Sequence, residues 1–147
     1  MIDNLPILLV EDDVVDVKTV KRAFKENKIL NTLKVVGNGE EALAYLRHGG
    51  AYANKEANPR PGIILLDLNM PVMNGIEFLR AARPLGLLRG IPVVVLTTSK
   101  MENDRMESYD LGVAGYIIKP VEFDKFVEAV RTLELYWSLC QLPHPEE

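Results

Sequence analysis

The segment ILLVEDD, residues 7–13, places four apolar residues directly before three carboxylates. A short, continuous apolar run of this kind is typical of a strand that is buried on both faces of a parallel sheet. Like charges repel each other, and a carboxylate loses favourable hydration when it is buried. Glu11, Asp12 and Asp13 therefore need a compensating partner at the end of this strand.

The alternation of strand-like and helix-like patterns continues along the rest of the chain. Further strands are predicted at TLKVVG (32–37), GIILLD (62–67), IPVVVLTT (91–98) and AGYIIKP (114–120). Apolar spacing predicts helices at about residues 13–27, 40–48, 75–83, 99–111 and 122–139, the second closed by Gly49-Gly50 and the fourth by Gly112. Five strands alternating with five helices predict an α/β fold in which helices cover both faces of a parallel sheet.

Composition excludes several classes of function. The chain has 147 residues, a formal net charge of −4, one cysteine and two histidines. A strongly basic face for nucleic acid is not indicated, and a zinc site built from histidine and cysteine is disfavoured. The sequence shows neither a membrane span nor a secretory signal, so we expect a cytoplasmic protein. The length suits one domain over residues 1–147, with about 140–147 as a C-terminal tail.

Chemically versatile side chains stand at the predicted strand ends. The first strand is followed by Glu11 and Asp12, and the third, fourth and fifth end in Asp67, Thr97 and Lys119. Ligands of open parallel sheets bind beyond these carboxyl ends. Carboxylates suit Mg²⁺, which would offset their repulsion, and an aspartate can act as a nucleophile toward phosphorus. A lysine and a hydroxyl can then stabilise the transferred phosphoryl group.

Four motifs together resemble the receiver domain of two-component response regulators. They are LLVEDD, ILLDLNMPVMNG, PVVVLTT and GYIIKP, which follow one another in the family's order and span essentially the whole chain. The resemblance implies a flavodoxin-like, doubly wound five-stranded sheet of order 2-1-3-4-5 with five helices. It also implies a phosphoprotein of a phosphorelay, rather than an enzyme acting on a separate substrate.

The resemblance assigns a role to each matching position. Asp67 matches the phosphoacceptor, with Thr97 as the switch hydroxyl, Lys119 as the phosphate-binding lysine and Tyr116 as the switch aromatic. The metal ligands match Glu11, Asp12 and Asp67, together with the backbone carbonyl of Asn69. Asp13 falls just outside this set, and we expect it to cap the following helix.

Within the family, the chain is most similar to single-domain cyanobacterial phytochrome-type regulators. The long GGAYANKEANPRPG segment, VVVLTTS and YWSLCQLP carry this resemblance. It implies a stand-alone regulator that accepts a phosphoryl group from a sensor histidine kinase of the phytochrome type and then switches protein binding. Leu135, Leu139, Cys140 and Leu142 add apolar area to the last helix. Extra apolar area often marks an interface, and the resemblance to the family implies a homodimer through the fourth helix, fifth strand and fifth helix.

Three other interpretations compete with this one. GNGEEA (37–42) fits a dinucleotide fingerprint, but it follows the second strand and no strand-end acid occurs about twenty residues later. A haloacid-dehalogenase-like phosphatase would need an acid at Asn69 and a cap insertion. A phosphorylation-independent interaction module of the same fold is the main alternative, although such modules usually lack one of the acids or the lysine.

Overall fold

The computed structural model describes residues 5–26, 28–97, 111–118 and 128. Within these residues the elements are, in chain order, β1 (Ile7–Val10), α1 (Val14–Glu26), β2 (Leu33–Val36), α2 (Gly39–Arg47), a 3₁₀ turn (Gly50–Tyr52), β3 (Ile63–Asp67), α3 (Gly75–Ala82), β4 (Val93–Thr97) and β5 (Gly115–Ile118). The helices predicted at 99–111 and 122–139 lie outside the described residues, apart from Leu111, which is not helical, and Glu128, which is helical. Lys119 and the predicted tail also lie outside them.

The five strands form one parallel sheet in the predicted order, β2-β1-β3-β4-β5. Asp67 of β3 is in register with Leu96, and Thr97 of β4 is in register with Ile118. The register therefore brings the carboxyl ends of β3, β4 and β5 to the same side of the sheet, which we call its carboxyl edge. Because β1 lies between β2 and β3, the chain reverses its direction of winding beside β1, and this edge is the expected ligand-binding position.

Alternate residues of the strands form two separate apolar cores. On one face Leu8, Ile64 and Leu66 pack with α2 and α3, which contribute Tyr45 and Phe78. On the other face Ile7, Leu9, Ile63, Leu65, Val94 and Leu96 pack with Val20, Ala23 and Phe24 of α1. A strand buried on both faces reads as a continuous apolar run, which explains the ILLV and IILL patterns.

Polar caps fix where the helices begin. The Asn38 side chain accepts a hydrogen bond from Glu41 N at 2.9 Å, and α3 begins with a reciprocal capping box between Asn74 and Glu77. These caps satisfy backbone N–H groups that have no partner inside the helix. Both helices therefore have defined starting points beside the ends of the strands.

The end of α2 differs from the prediction. His48, and not Gly49, takes the left-handed conformation at the helix C-terminus, with φ of 55°. Its ring nitrogen Nε2 lies 2.9 Å from the carbonyl oxygen of Asn58, and Gly49 N donates to Ala44 O at 2.9 Å. His48 thus has a left-handed backbone conformation that glycine adopts more readily, and its ring contacts a residue ten positions later in the chain.

One further contact links α3 to the segment before β5. Arg83 Nε donates to Leu111 O, and Arg83 Nη2 donates to Gly112 O, both at 2.8 Å. Burial lowers the pKa of the Arg83 guanidinium. Gly112 has a φ of 64°, in the left-handed region that favours glycine. None of the described helices is long and apolar enough to cross a bilayer.

Candidate functional site

The three acids Glu11, Asp12 and Asp67 meet at the carboxyl edge of the sheet. One carboxylate oxygen from each residue lies within 4.8 Å of the oxygens of the other two. Glu11 and Asp67 are each only 2% exposed, whereas Asp12 is exposed. Two ionised carboxylates at this separation repel each other by on the order of 3 kcal/mol at the effective dielectric constant of protein sites. The arrangement therefore favours a bound cation.

Strand pairing fixes the position of these acids. Glu11 N donates to Val36 O at 2.9 Å, which extends the pairing of β1 with β2 by one residue. Asp67 is the last residue of β3 and pairs with β4. The two buried carboxylates are thus attached to backbone that is hydrogen-bonded within the sheet, and a preorganised site is best built on such regular elements.

Asp13 belongs to a different structure from its two neighbours, as predicted. Its Oδ1 atom accepts hydrogen bonds from Val15 N at 2.8 Å and from Asp16 N at 3.3 Å. These contacts cap α1, which begins at Val14. The apparent cluster of three adjacent acids therefore divides into two site residues and one helix cap.

The loop that follows Asp67 is tightly closed. Gly75 N donates to Leu68 O at 3.1 Å across the loop. A Cβ atom on Gly75 would lie 2.6 Å from Asp67 O, a separation that side-chain carbons do not tolerate. Glycine is therefore required where α3 begins, because the helix starts directly against the backbone of the proposed phosphoacceptor.

The middle of this loop contains strained backbone. Val72 has a φ of 68°, an uncommon value for a β-branched residue, and its side chain is 72% exposed. Met73 N donates to Pro71 O at 2.8 Å, which closes a three-residue γ-turn around Val72. Such backbone strain is concentrated at functional sites in proteins.

The other residues of the predicted site are described to different extents. Asn69 N donates to Asp67 Oδ1 at 3.2 Å, so the residue predicted to offer its carbonyl is in contact with the acceptor. The Tyr116 side chain is half-buried and packs against the α2/α3 core. Thr97 is described only by its backbone, at the end of β4. Lys119 lies outside the described residues, one position after β5.

Sequence reasoning missed Val72 and Gly39 as residues that shape the site. Val72 gave no local signal, because valine disfavours positive φ. Gly39 was noticed only within the GNGEEA motif. Its N–H in fact donates to Met73 O at 2.9 Å, in the loop after Asp67. The signal that could have identified Gly39 is a glycine at the start of a helix that the fold places next to the loop after Asp67.

The donor set is consistent with a divalent cation that prefers oxygen. The group contains three carboxylates and neither histidine nor cysteine, and two of its members are buried together. Mg²⁺ and Mn²⁺ favour carboxylate, carbonyl and water ligands, whereas zinc and copper favour nitrogen or sulfur. The residues present therefore fit the kind of metal that the sequence motifs predicted.

The fold and the site together define a class of protein. Residues 7–131 match the family model of the response regulator receiver domain. The match covers most of the chain, which therefore belongs to the receiver family of response regulators, a family of signalling proteins. The predicted family and fold are confirmed.

Particular relatives narrow this class. Response regulator Rcp1 of Synechocystis sp. is 40% identical over 131 residues, which cover 89% of this chain and 87% of Rcp1. Bacteriophytochrome response regulator RtBRR has a similar structure, with a TM-score of 0.83 and 44% identity over 97% of this chain and 85% of its own. The chain is thus a response regulator that resembles phytochrome response regulators.

Two similar structures contain groups that bear on the site. Phosphorylated cyanobacterial phytochrome response regulator RcpA aligns with a TM-score of 0.76 and 40% identity over 96% of this chain and 99% of its own. The Mn²⁺-bound form of Rcp1 aligns with a TM-score of 0.73 and 39% identity over 95% of this chain and 99% of its own. A relative thus binds a divalent metal, as the acidic group here would require.

Proposed function

We propose that this protein is a phosphorylation switch whose acceptor is Asp67. The observation that carries the proposal is the grouping of three carboxylate oxygens within 4.8 Å around a buried strand-end aspartate. Most buried acids in proteins are paired with a cation or with hydrogen-bond donors. A group of acids that can share one divalent cation matches the requirements of phosphoryl transfer to a carboxylate.

Each residue has a defined task in the transfer. A carboxylate oxygen of Asp67 attacks phosphorus, a P–O bond forms, and the P–N bond to the histidine of the donor kinase breaks. Glu11, Asp12, Asp67 and the Asn69 carbonyl would hold Mg²⁺, which neutralises charge on the phosphoryl oxygens when it is bound. Lys119 would neutralise further negative charge, and the Thr97 hydroxyl would donate a hydrogen bond to the phosphate.

The response to phosphorylation passes from β4 to β5. Thr97 is in register with Ile118, and Tyr116 is in register with Val95, so the two switch residues lie on paired strands. We propose that Thr97 moves toward the phosphate and that the half-buried Tyr116 side chain turns inward. The face of β5 and its neighbouring helices would then bind partners with altered affinity.

The partners follow from the same resemblance. A sensor histidine kinase would donate the phosphoryl group, and the likeness to Rcp1 and RtBRR favours a kinase of the phytochrome type. We further propose a homodimer through the predicted fourth helix, β5 and the predicted fifth helix, supported by the apolar residues near the C-terminus. Mass measurement at micromolar concentration tests the dimer, and a monomer with and without phosphorylation would contradict it.

Phosphoryl transfer tests the main proposal. The full chain is incubated with Mg²⁺ and phosphoramidate, a small donor with a P–N bond, and the phosphorylated fraction is measured by intact mass. We expect Asp67→Asn to abolish phosphorylation. Asp13→Asn is the matched control, because asparagine caps a helix as well as aspartate does and phosphorylation should therefore persist. Equal phosphorylation of wild type and Asp67→Asn would exclude Asp67 as the acceptor. An unphosphorylated wild type would favour the interaction-module alternative.

A further inference from the structure

Within the described residues, backbone hydrogen bonds join the loop after Asp67 to two other secondary-structure elements, β4 and α2. Its internal bonds run from Gly75 N to Leu68 O and from Met73 N to Pro71 O. At its start Leu68 N donates to Leu96 O of β4 at 3.4 Å, and near its end Met73 O accepts from Gly39 N, in the first residue of α2, at 2.9 Å. The second contact joins the start of α2 to the loop that carries the proposed metal ligand Asn69.

No side chain fits at position 39 in this arrangement. A Cβ atom on Gly39 would lie 2.7 Å from Met73 Cγ and 2.9 Å from Met73 O. Gly39 does not have a positive φ, so its conformation alone does not require glycine. The requirement is spatial, because α2 and the loop approach each other until their backbones form a hydrogen bond.

The neighbouring residues hold Gly39 in place. Gly37 N donates to Glu41 Oε2 at 2.7 Å, and Asn38 Oδ1 accepts from Glu41 N at 2.9 Å. The start of α2 is therefore fixed by its own cap before it contacts the loop. The GNGEEA sequence therefore forms a capped helix start in which Gly39 contacts Met73.

We infer that Gly39 is a positioning residue for the metal site. Through Met73 it sets the position of the loop between Asp67 and Gly75, and hence of the Asn69 carbonyl. The inference rests on the proposed function, because it assumes that this loop supplies a metal ligand. Residues that orient metal ligands commonly change metal affinity about 10- to 100-fold when they are mutated.

Metal binding by matched glycine variants tests this inference. Mn²⁺ is titrated into the full chain by calorimetry for wild type, Gly39→Ala and Gly115→Ala. Gly115 is the control, because a Cβ atom there would meet no atom of the described residues within 4 Å. We expect Gly39→Ala to weaken Mn²⁺ binding about tenfold, whereas Gly115→Ala should stay within about twofold of wild type.

Urea unfolding without metal separates positioning from a purely structural role. If Gly39→Ala lowers stability but the folded protein binds Mn²⁺ as tightly as wild type does, the inference is wrong while the proposed function stands. If wild type binds no Mn²⁺, the proposed metal site itself fails. Should Gly39→Ala not fold, Gly39→Ala/Met73→Ala is compared with Met73→Ala. Equal Mn²⁺ affinity in that pair overturns the inference, and weaker binding by the double variant supports it.

Discussion

Two polar loops flank β3, and they use their polar groups in opposite ways. Before the strand, Tyr45 Oη donates to Pro59 O at 2.8 Å, and the His48 ring contacts Asn58 O. After the strand, Asp67 stands in a group of like charges and Val72 has a positive φ. The side chains around the first loop donate hydrogen bonds to backbone carbonyls or accept them from backbone N–H groups, whereas the second loop begins at a group of like-charged carboxylates and contains strained backbone.

The loop before β3 thus has the features of a structural loop, whereas the loop after β3 has those of a candidate functional site. In the loop before β3, the Tyr45 and Tyr52 rings pack 5.3 Å apart, and Asn54 Oδ1 accepts from Glu56 N at 3.0 Å. Each of these contacts stabilises the fold without leaving a charge to be satisfied. The loop after β3 lies beside three carboxylates that could share one cation, so we expect the stability of the folded chain to depend on a divalent metal.

The largest expected difference between the loops is the response to metal. Mg²⁺ at about a thousand times its Kd should raise the free energy of unfolding by about 4 kcal/mol, because only the folded chain assembles the acidic group. Asp12→Asn should lose most of this gain. The measurement is urea unfolding with and without Mg²⁺.

Asp13→Asn provides the control for this prediction. Its side chain caps α1 and is not in the acidic group, so the variant should gain as much stability from Mg²⁺ as wild type does. If Asp13→Asn lost the stabilisation by Mg²⁺, or if Asp12→Asn kept all of it, the assignment of Asp12 to the metal site and of Asp13 to the helix cap would be wrong.

High pH should disrupt the loop before β3. Burial, together with the neighbouring Tyr52, raises the pKa of Tyr45 from 10.0 to about 12. Because the folded pKa lies above the unfolded one, the stabilisation is complete below pH 10 and is lost as the pH rises through 12. Between about pH 8 and about pH 11.5, this effect of Tyr45 should lower the free energy of unfolding by about 2 kcal/mol.

Tyr45→Phe isolates this effect. The variant lacks the titrating hydroxyl and its hydrogen bond to Pro59 O, so it should be about 1 kcal/mol less stable than wild type near neutral pH. The difference in free energy of unfolding between wild type and Tyr45→Phe should shrink or reverse as the pH approaches 12. Parallel stability curves for wild type and Tyr45→Phe, measured by urea unfolding across this range, would show that Tyr45 does not titrate as described.

The smallest expected effect concerns strain in the loop after β3. Val72→Asn should raise the free energy of unfolding by about 1 kcal/mol, because asparagine tolerates positive φ better than valine does. Val15→Asn is the control, since Val15 is 69% exposed, against 72% for Val72, and lies in α1. Valine and asparagine have similar helix propensities, so this variant should change stability by less than about 0.5 kcal/mol. An equal change in both variants would show that Val72 is not strained.

The parts of the structure that were predictable from sequence depend on local patterns. Strands buried on both faces gave continuous apolar runs, and the cap at Asp13 followed from its place before α1. The acids were recognised because the carboxyl ends of parallel strands share one edge of the sheet. The strand order itself came from the resemblance to a family, since apolar patterns do not encode which strands are neighbours.

The remaining features arise from contacts between distant residues. His48 adopts a left-handed conformation beside its contact with Asn58, although Gly49 follows directly. Val72 is held at positive φ by the closure of its loop. Gly39 is required because Met73 approaches it from thirty-four residues away. A local window of sequence shows a glycine at the start of α2, but it does not show the distant contacts that give His48, Val72 and Gly39 their conformations or roles.

The most direct measurement is the chemical identity of the phosphorylated residue. The full chain is treated with Mg²⁺ and phosphoramidate and then reduced with borohydride, which converts an aspartyl phosphate to homoserine, and its peptides are sequenced by mass spectrometry. We expect homoserine at position 67 only when Mg²⁺ and the phosphodonor are both present. Homoserine at another aspartate, or equal conversion without a divalent metal, would contradict a metal-assisted phosphoacceptor at Asp67.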